Sequence, residues 1–215
     1  MDNRQNKERR FWDKFANIYD SFINVIFSST YKAILDNLNS DLNTTQNVLD
    51  IGTGTGIIPF SICLKVSSVI AIDISPEMIQ IAKQKQENSS IKNIDFQVQD
   101  SYKLTFPDKS FDIVIASNLL HLLFEPDKSL NEVKRVLKDN GTFIAPTICV
   151  GENSKSRIIA GIIGALSGFK VVNKWSIREF KTMLINNGFT VNKIVIADGR
   201  FPLDYIVVVK NTTNT

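Results

Sequence analysis

Residues 48–56 read Val-Leu-Asp-Ile-Gly-Thr-Gly-Thr-Gly, an apolar run that passes straight into three alternating glycines. Glycine loses more conformational freedom on folding than any other residue. A cluster of it at the end of a strand therefore marks a backbone that turns tightly or meets something closely. Gly52 and Gly54, lacking Cβ atoms, allow a ligand to lie against the backbone, and Gly56 allows the next helix to pack close. A strand feeding such a turn into a helix is also expected to present free N–H groups to a polar or anionic group. The alternative is a tight turn with no ligand, for which one glycine would suffice.

The rest of the chain surrounds this turn with alternating elements. Apolar residues at 11, 12, 15, 18, 19, 22, 23, 26 and 27 form a helical stripe, and Tyr31, Ile34, Leu35, Leu38 and Leu42 form a second. About 45 helical residues thus precede the first strand. Ser67–Ser75 is nearly continuous in apolar character, as in a strand covered on both faces. Ser75 and Pro76 then supply a helix cap and first position. Asn93–Asp100 and Ser110–Ser117 read as the third and fourth strands. Pro126 opens a helix expected to run to the Asp139-Asn140-Gly141 stop, and Gly141–Ile148 is a fifth strand. Ser176 and Glu179 form a capping box, and Gly188 ends that helix. Phe189–Ala197 and Tyr205–Asn211 read as an antiparallel pair joined by a short Asp-Gly link. The alternation predicts an α/β fold, a mostly parallel sheet with helices on both faces. The glycine turn then falls at a switch point where ligands bind.

Two carboxylates accompany the glycines. Asp73 ends the second strand, 21 positions after Gly52. In a βαβ unit this spacing brings an acidic side chain to the ribose hydroxyls of a nucleoside. Capping of the next helix is the alternative, although Ser75 is the better cap. Asp100 ends the third strand, where a carboxylate can accept from an adenine amine.

Composition narrows the field. The formal charge is +3 and the charges are interspersed, which argues against a nucleic-acid partner. Cys63 and Cys149 are expected to pack as small hydrophobes rather than to pair, and no spacing suits a metal. The polar N-terminus is no secretory signal. The apolar run Ile158–Phe169 is too short to span a bilayer, so no stable membrane insertion is expected and a cytoplasmic location is the default.

Val48–Gly56, Ala71–Ile79, Val98–Ser117 and Arg135–Pro146 together resemble the successive motifs of the class I S-adenosylmethionine-dependent methyltransferases. The likeness is nearest to the branch containing the ubiquinone and menaquinone biosynthesis enzymes. Phe11–Asp20 resembles the helix that precedes that fold. The resemblance implies a Rossmann-like seven-stranded sheet of order 3-2-1-4-5-7-6, with strand 7 antiparallel. It implies one domain: an N-terminal helical cap (1–45), a cofactor-binding core (46–149), a variable lid (150–174), and a terminal helix with an antiparallel strand pair (175–210).

The same resemblance implies roles. Asp50, Gly52, Thr53 and Gly54 would hold the amino-acid end of S-adenosylmethionine. Asp73 would take its ribose, and Ile74 and Met78 would pack on its adenine. Asp100, with Ser101 beside it, would accept from the adenine amine. Ser117 and Asn118 would face the sulfonium side, and Tyr19 would close over the cofactor. The Gly-x-Gly-x-Gly rhythm counts against a nicotinamide-dependent oxidoreductase. A cofactor-binding regulatory protein without turnover stays open.

The acceptor is expected to be a small molecule, covered by the N-terminal helices and residues 150–174. Arg157–Phe169 reads first as a buried or lid helix, with the lining of a hydrophobic acceptor pocket or contact with a membrane surface as the alternatives. Phe11, Trp12, Phe15 and Phe22 read as core before they read as an acceptor cage. His121, the single histidine, is the candidate base if the acceptor must lose a proton. A packed, hydrogen-bonded histidine or a cofactor contact is the favoured reading, so no catalytic residue is named. The sequence leaves the acceptor, the methylated atom and the oligomeric state open.

Overall fold

The structure is a computed structural model that describes residues 3–167, 171–197 and 203–210. Two helices, α1 (Asn3–Ile26) and α2 (Ser28–Asp41), precede β1 (Asn47–Ile51). Then follow α3 (Ile57–Ile62), β2 (Ser68–Asp73), α4 (Pro76–Glu87), β3 (Ile94–Val98) and β4 (Phe111–Ile115). The chain continues through α5 (Pro126–Val136), β5 (Leu137–Ile148), α6 (Ser154–Ser167), α7 (Ile177–Asn186), β6 (Phe189–Ala197) and β7 (Leu203–Lys210). The sheet order is β3-β2-β1-β4-β5-β7-β6, with β7 antiparallel to both neighbours, as expected. The link 198–202 and the residues after 210 lie outside the described residues.

Burial on both faces explains why the central strands are apolar at most positions, Asp50 of β1 and Asp112 of β4 being exceptions. Val48, Ile113 and Ile115 face one side, where they pack with Ile34 and Leu38 of α2, Ile62 of α3 and Ile79 of α4. Leu49, Ile51 and Val114 face the other, with Leu130 and Val133 of α5 and Phe180 and Leu184 of α7. A strand buried on both faces needs hydrophobes at nearly every position. Cys63 and Cys149 are both buried, one in each of these cores.

Local signals hold at several ends. The Ser75 hydroxyl accepts the Met78 N–H at the start of α4, and Ser176 with Glu179 completes the capping box of α7. One boundary differs. Helix α5 ends at Val136, not at Asp139–Gly141, because the approach of β4 takes its last carbonyls: Lys109 N–H donates to Arg135 and Ser110 N–H to Val136. Leu137, fully buried and paired with Phe111, is already extended.

Helix α1 lies across the carboxyl ends of the strands and packs on α4. Its polar ties are specific. Ser75 donates to Asp13 at 2.6 Å, Thr55 donates to Asp20, and Lys85 pairs with the same Asp20 carboxylate. The helix is thereby fastened to the glycine turn and to α4 together.

Candidate functional site

The glycine turn is held from within. Gly52 and Thr53 both donate to the Ile72 carbonyl, at 2.8 and 2.9 Å, and Gly54 donates to Asp73 Oδ2 at 2.9 Å. The N–H groups expected to stand open to a ligand are therefore occupied at these three positions. What the glycines provide is conformation and space. Gly54 has φ +56°, and a Cβ there would stand 3.2 Å from the Tyr19 ring. At Gly56, with φ +87°, a Cβ would meet the Phe96 ring at 2.9 Å, so this position does allow close packing.

A cavity opens above this turn, with about 730 Å³ of empty space, part of it continuous with solvent. Of the residues singled out from sequence, Tyr19, Gly52, Gly54, Asp73, Ile74, Met78, Asp100, Ser101, Ser117 and Asn118 line it. They come from α1 and from the carboxyl ends of β1 to β4. Asp50 and Thr53 do not line it. They sit buried behind the turn.

Several polar atoms here lack protein partners. Asp50 Oδ2 and Ser117 Oγ are buried without hydrogen bonds among the described residues, and the buried Thr53 hydroxyl lies beside the Asp50 carboxyl. Buried polar groups are ordinarily satisfied, so such orphans point to a group supplied from outside. Burial pushes the Asp50 carboxyl up to about 7, against an opposing pull from the Thr53 hydroxyl and with a further push from Asp73. Burial likewise pushes Asp73 up to about 6, while the N–H groups of Ser75, Gly54 and Ile74 draw it back.

Sequence reading missed Trp12, Gln99, Leu119, Leu122 and Leu123 in this lining. Trp12 was legible in part: it lies two helical turns before Tyr19, on the same face of α1. Its ring meets that of Tyr19 edge-on at 6.5 Å. The leucines had no signal, because their loop after β4 turns back only in three dimensions.

A second cavity adjoins the first and shares Trp12, Tyr19, Asn118 and Leu122 with it. It holds about 660 Å³ of empty space. Phe15, Phe22, Ile23, Phe27 and Tyr31 form one wall, and His121, Ile148, Val150, Ala160 and Val171 another. The aromatic residues pack on one another, with Phe15 and Phe22 rings 5.0 Å apart, and the same residues line open space. Tyr19 and Tyr31 hydroxyls meet at 3.1 Å between the cavities. Asn118 adopts φ +51°, a conformation asparagine tolerates, and its Oδ1 accepts the Ile148 N–H. His121 is buried in this second wall and does not line the first cavity.

Among the described residues, no helix is long and apolar enough to cross a membrane and no cluster suits a metal.

Comparison with known proteins gives a consistent result. Residues 42–188 match a family described as "Methyltransferase domain". The chain is 27% identical over 159 residues to the uncharacterized methyltransferase YcgJ of Bacillus subtilis, covering 74% of this chain and 61% of that protein. It is 31% identical over 169 residues to the ubiquinone/menaquinone biosynthesis C-methyltransferase UbiE of Citrifermentans bemidjiense, covering 69% and 72%. The match with YcgJ thus spans less than two thirds of that protein's length. A magnesium protoporphyrin IX methyltransferase from Synechocystis, solved with bound SAH, shares the fold at a TM-score of 0.69 and 21% identity, covering 89% of this chain and 86% of that one.

Proposed function

The chain belongs to the methyltransferase-domain family, and on that premise we propose that it transfers a methyl group from S-adenosylmethionine to a small, apolar acceptor. The observation that carries this reading is the pair of adjoining cavities with a shared wall. One is lined by the glycine turn and two carboxylates, and the other is almost wholly apolar. The orphaned oxygen of Ser117, which lines the first cavity, fits a cofactor with its own donors. The missing side chain at Gly54, where a Cβ would crowd the Tyr19 ring at 3.2 Å, fits a turn over which that ring closes tightly. The SAH bound to the Synechocystis neighbour supports the same choice.

Bound there, S-adenosylmethionine supplies an already activated methyl group. The chain's own work is binding, alignment and exclusion of water, and alignment is worth roughly 7–11 kcal/mol of a barrier. Asp73 would accept from the ribose hydroxyls. Each of its oxygens takes one backbone N–H, from Gly54 and Ser75, and a carboxylate has about four lone-pair sites in all. Ile74 and Met78 offer apolar surface to the base, and Asp100 with Ser101 offers polar contacts at its edge. Asp50 and Thr53, one layer behind the turn, would act on the ammonium end. Ser117 and Asn118 would face the sulfonium side, with Asn118 at the wall shared with the acceptor cavity. Trp12 and Tyr19 would roof both ligands and keep water out.

We take residues 1–45 as a cap, 46–149 as the cofactor core, 150–174 as a lid and 175–210 as the closing helix and strand pair of one domain. The mild, interspersed charge suits no nucleic-acid partner, and we place the protein in the cytoplasm. Family membership favours this reading over the dehydrogenase alternative. Isothermal titration with S-adenosylmethionine and S-adenosylhomocysteine tests it. Micromolar binding of both is expected, and binding of neither at high micromolar concentration would refute it. Turnover of labelled cofactor with a pool of acceptors separates an enzyme from a binding protein.

A further inference from the structure

Among the described residues, the lining of the second cavity includes no Asp, Glu, Lys or Arg. A charged acceptor would lose its hydration there without compensation. Selection must come from the few polar groups present. Tyr19 and Tyr31 hydroxyls are bonded to each other, and Asn118 Oδ1 is engaged by Ile148 N–H. His121 differs. Its side chain is 4% exposed, and Nδ1 has no hydrogen-bond partner among the described residues. A buried, unpaired nitrogen is a standing cost unless a ligand satisfies it. The residue is also well fixed. Its carbonyl accepts from both Val172 and Asn173, and the Asn173 side chain donates to Leu123.

We propose that His121 selects the methyl acceptor, its imidazole taking a hydrogen bond from an O–H or N–H on an otherwise apolar, uncharged molecule. This rests on reading the first cavity as the cofactor site. Burial pushes the imidazole down to about 4, so the ring is neutral near pH 7 and retains one nitrogen lone pair. That property suits recognition of an intact O–H or N–H group. The hydrogen bond orients the bound molecule and discriminates against isosteres that carry a methyl group in its place.

His121 is the only histidine in the chain, so protein labelled with ¹⁵N-histidine reports this ring alone. The probes are 4-chlorophenol and its near-isostere 4-chlorotoluene, each titrated into the full chain. We expect the phenol to bind about tenfold tighter and to shift a ring ¹⁵N resonance that the toluene leaves in place. In His121→Phe the two probes should bind alike, and His121→Gln, which restores an acceptor oxygen, should recover part of the preference. Equal affinities in the unmodified chain, binding without a ring shift, no binding of either probe, or a preference that survives His121→Phe would each overturn the proposal. S-Adenosylhomocysteine affinity is measured alongside. Retention in the variants shows that the fold and the first cavity are intact. Its absence in the unmodified chain would instead count against the proposed function. If a variant does not fold, the phenol-toluene comparison and ring shift in the unmodified chain decide alone.

Discussion

The Asp73 carboxylate reaches back 19 residues to accept the Gly54 N–H at 2.9 Å, and its other oxygen accepts the Ser75 N–H at the same distance. One side chain thus fixes the glycine turn and the entry to α4 while facing the cavity.

Asp73→Ala should therefore act twice. Loss of the acceptor leaves the Gly54 N–H unpaired, at a cost of about 1–3 kcal/mol in stability. Loss of the charge-assisted contacts to a ribose should weaken S-adenosylhomocysteine binding by about tenfold or more. Urea denaturation and calorimetry read the two effects separately. Unchanged affinity would mean that the sugar lies elsewhere.

Gly54→Ala places a Cβ where φ is +56° and the Tyr19 ring is 3.2 Å away. The left-handed conformation alone costs roughly 1–2 kcal/mol for a residue with a side chain. Tyr19 must also shift, so cofactor affinity should fall together with stability. A variant that retained both would show that the turn has slack.

Asp50 gives a pH dependence. In the free protein its carboxyl titrates near 7, raised from 3.8 by burial. Because the folded value lies above the unfolded one, the group's contribution to stability is full below 3.8 and is lost as pH rises towards 7. A ligand ammonium nearby reverses the preference and favours the ionised form. S-Adenosylhomocysteine should therefore bind more tightly as pH rises through about 7, and at pH 6.5 binding should release a proton. Calorimetry in two buffers of different ionisation heat counts that proton. A flat profile between pH 6 and 8 would rule out the arrangement.

Ser75→Ala removes the hydroxyl that caps α4 and also ties Asp13 of α1. Loss of a serine cap costs about 1 kcal/mol. The distinctive sign should be in hydrogen exchange: amides of α1 should exchange faster than in the parent, and those of β1 should not.

Much of this was legible in the sequence because the signals were local. The Ser75 cap, the Ser176–Glu179 box and the two-sided apolar strands each announce themselves within a few residues. Asp73 was placed in the cavity by its spacing from Gly52. The rest depended on partners far along the chain. Nothing within Gly52–Gly54 says that Ile72 and Asp73 will take its N–H groups. The end of α5 was set by the segment leading into β4, whose Lys109 and Ser110 reach its last carbonyls. Asp50 and Thr53 fall just outside the lining because the turn folds back over them. The orphaned Nδ1 of His121 could not be read from an apolar stretch that offers no clue to its neighbours.

The ties of α1 bear on how the chain comes to life on the ribosome. Asp13 must wait for Ser75, 62 residues later, and Asp20 for Thr55 and Lys85. The aromatic face of this helix emerges before its partners and finds its seat only after β1, β2 and most of α4 have been synthesised. Until then its apolar rings stand open to whatever else the nascent chain meets.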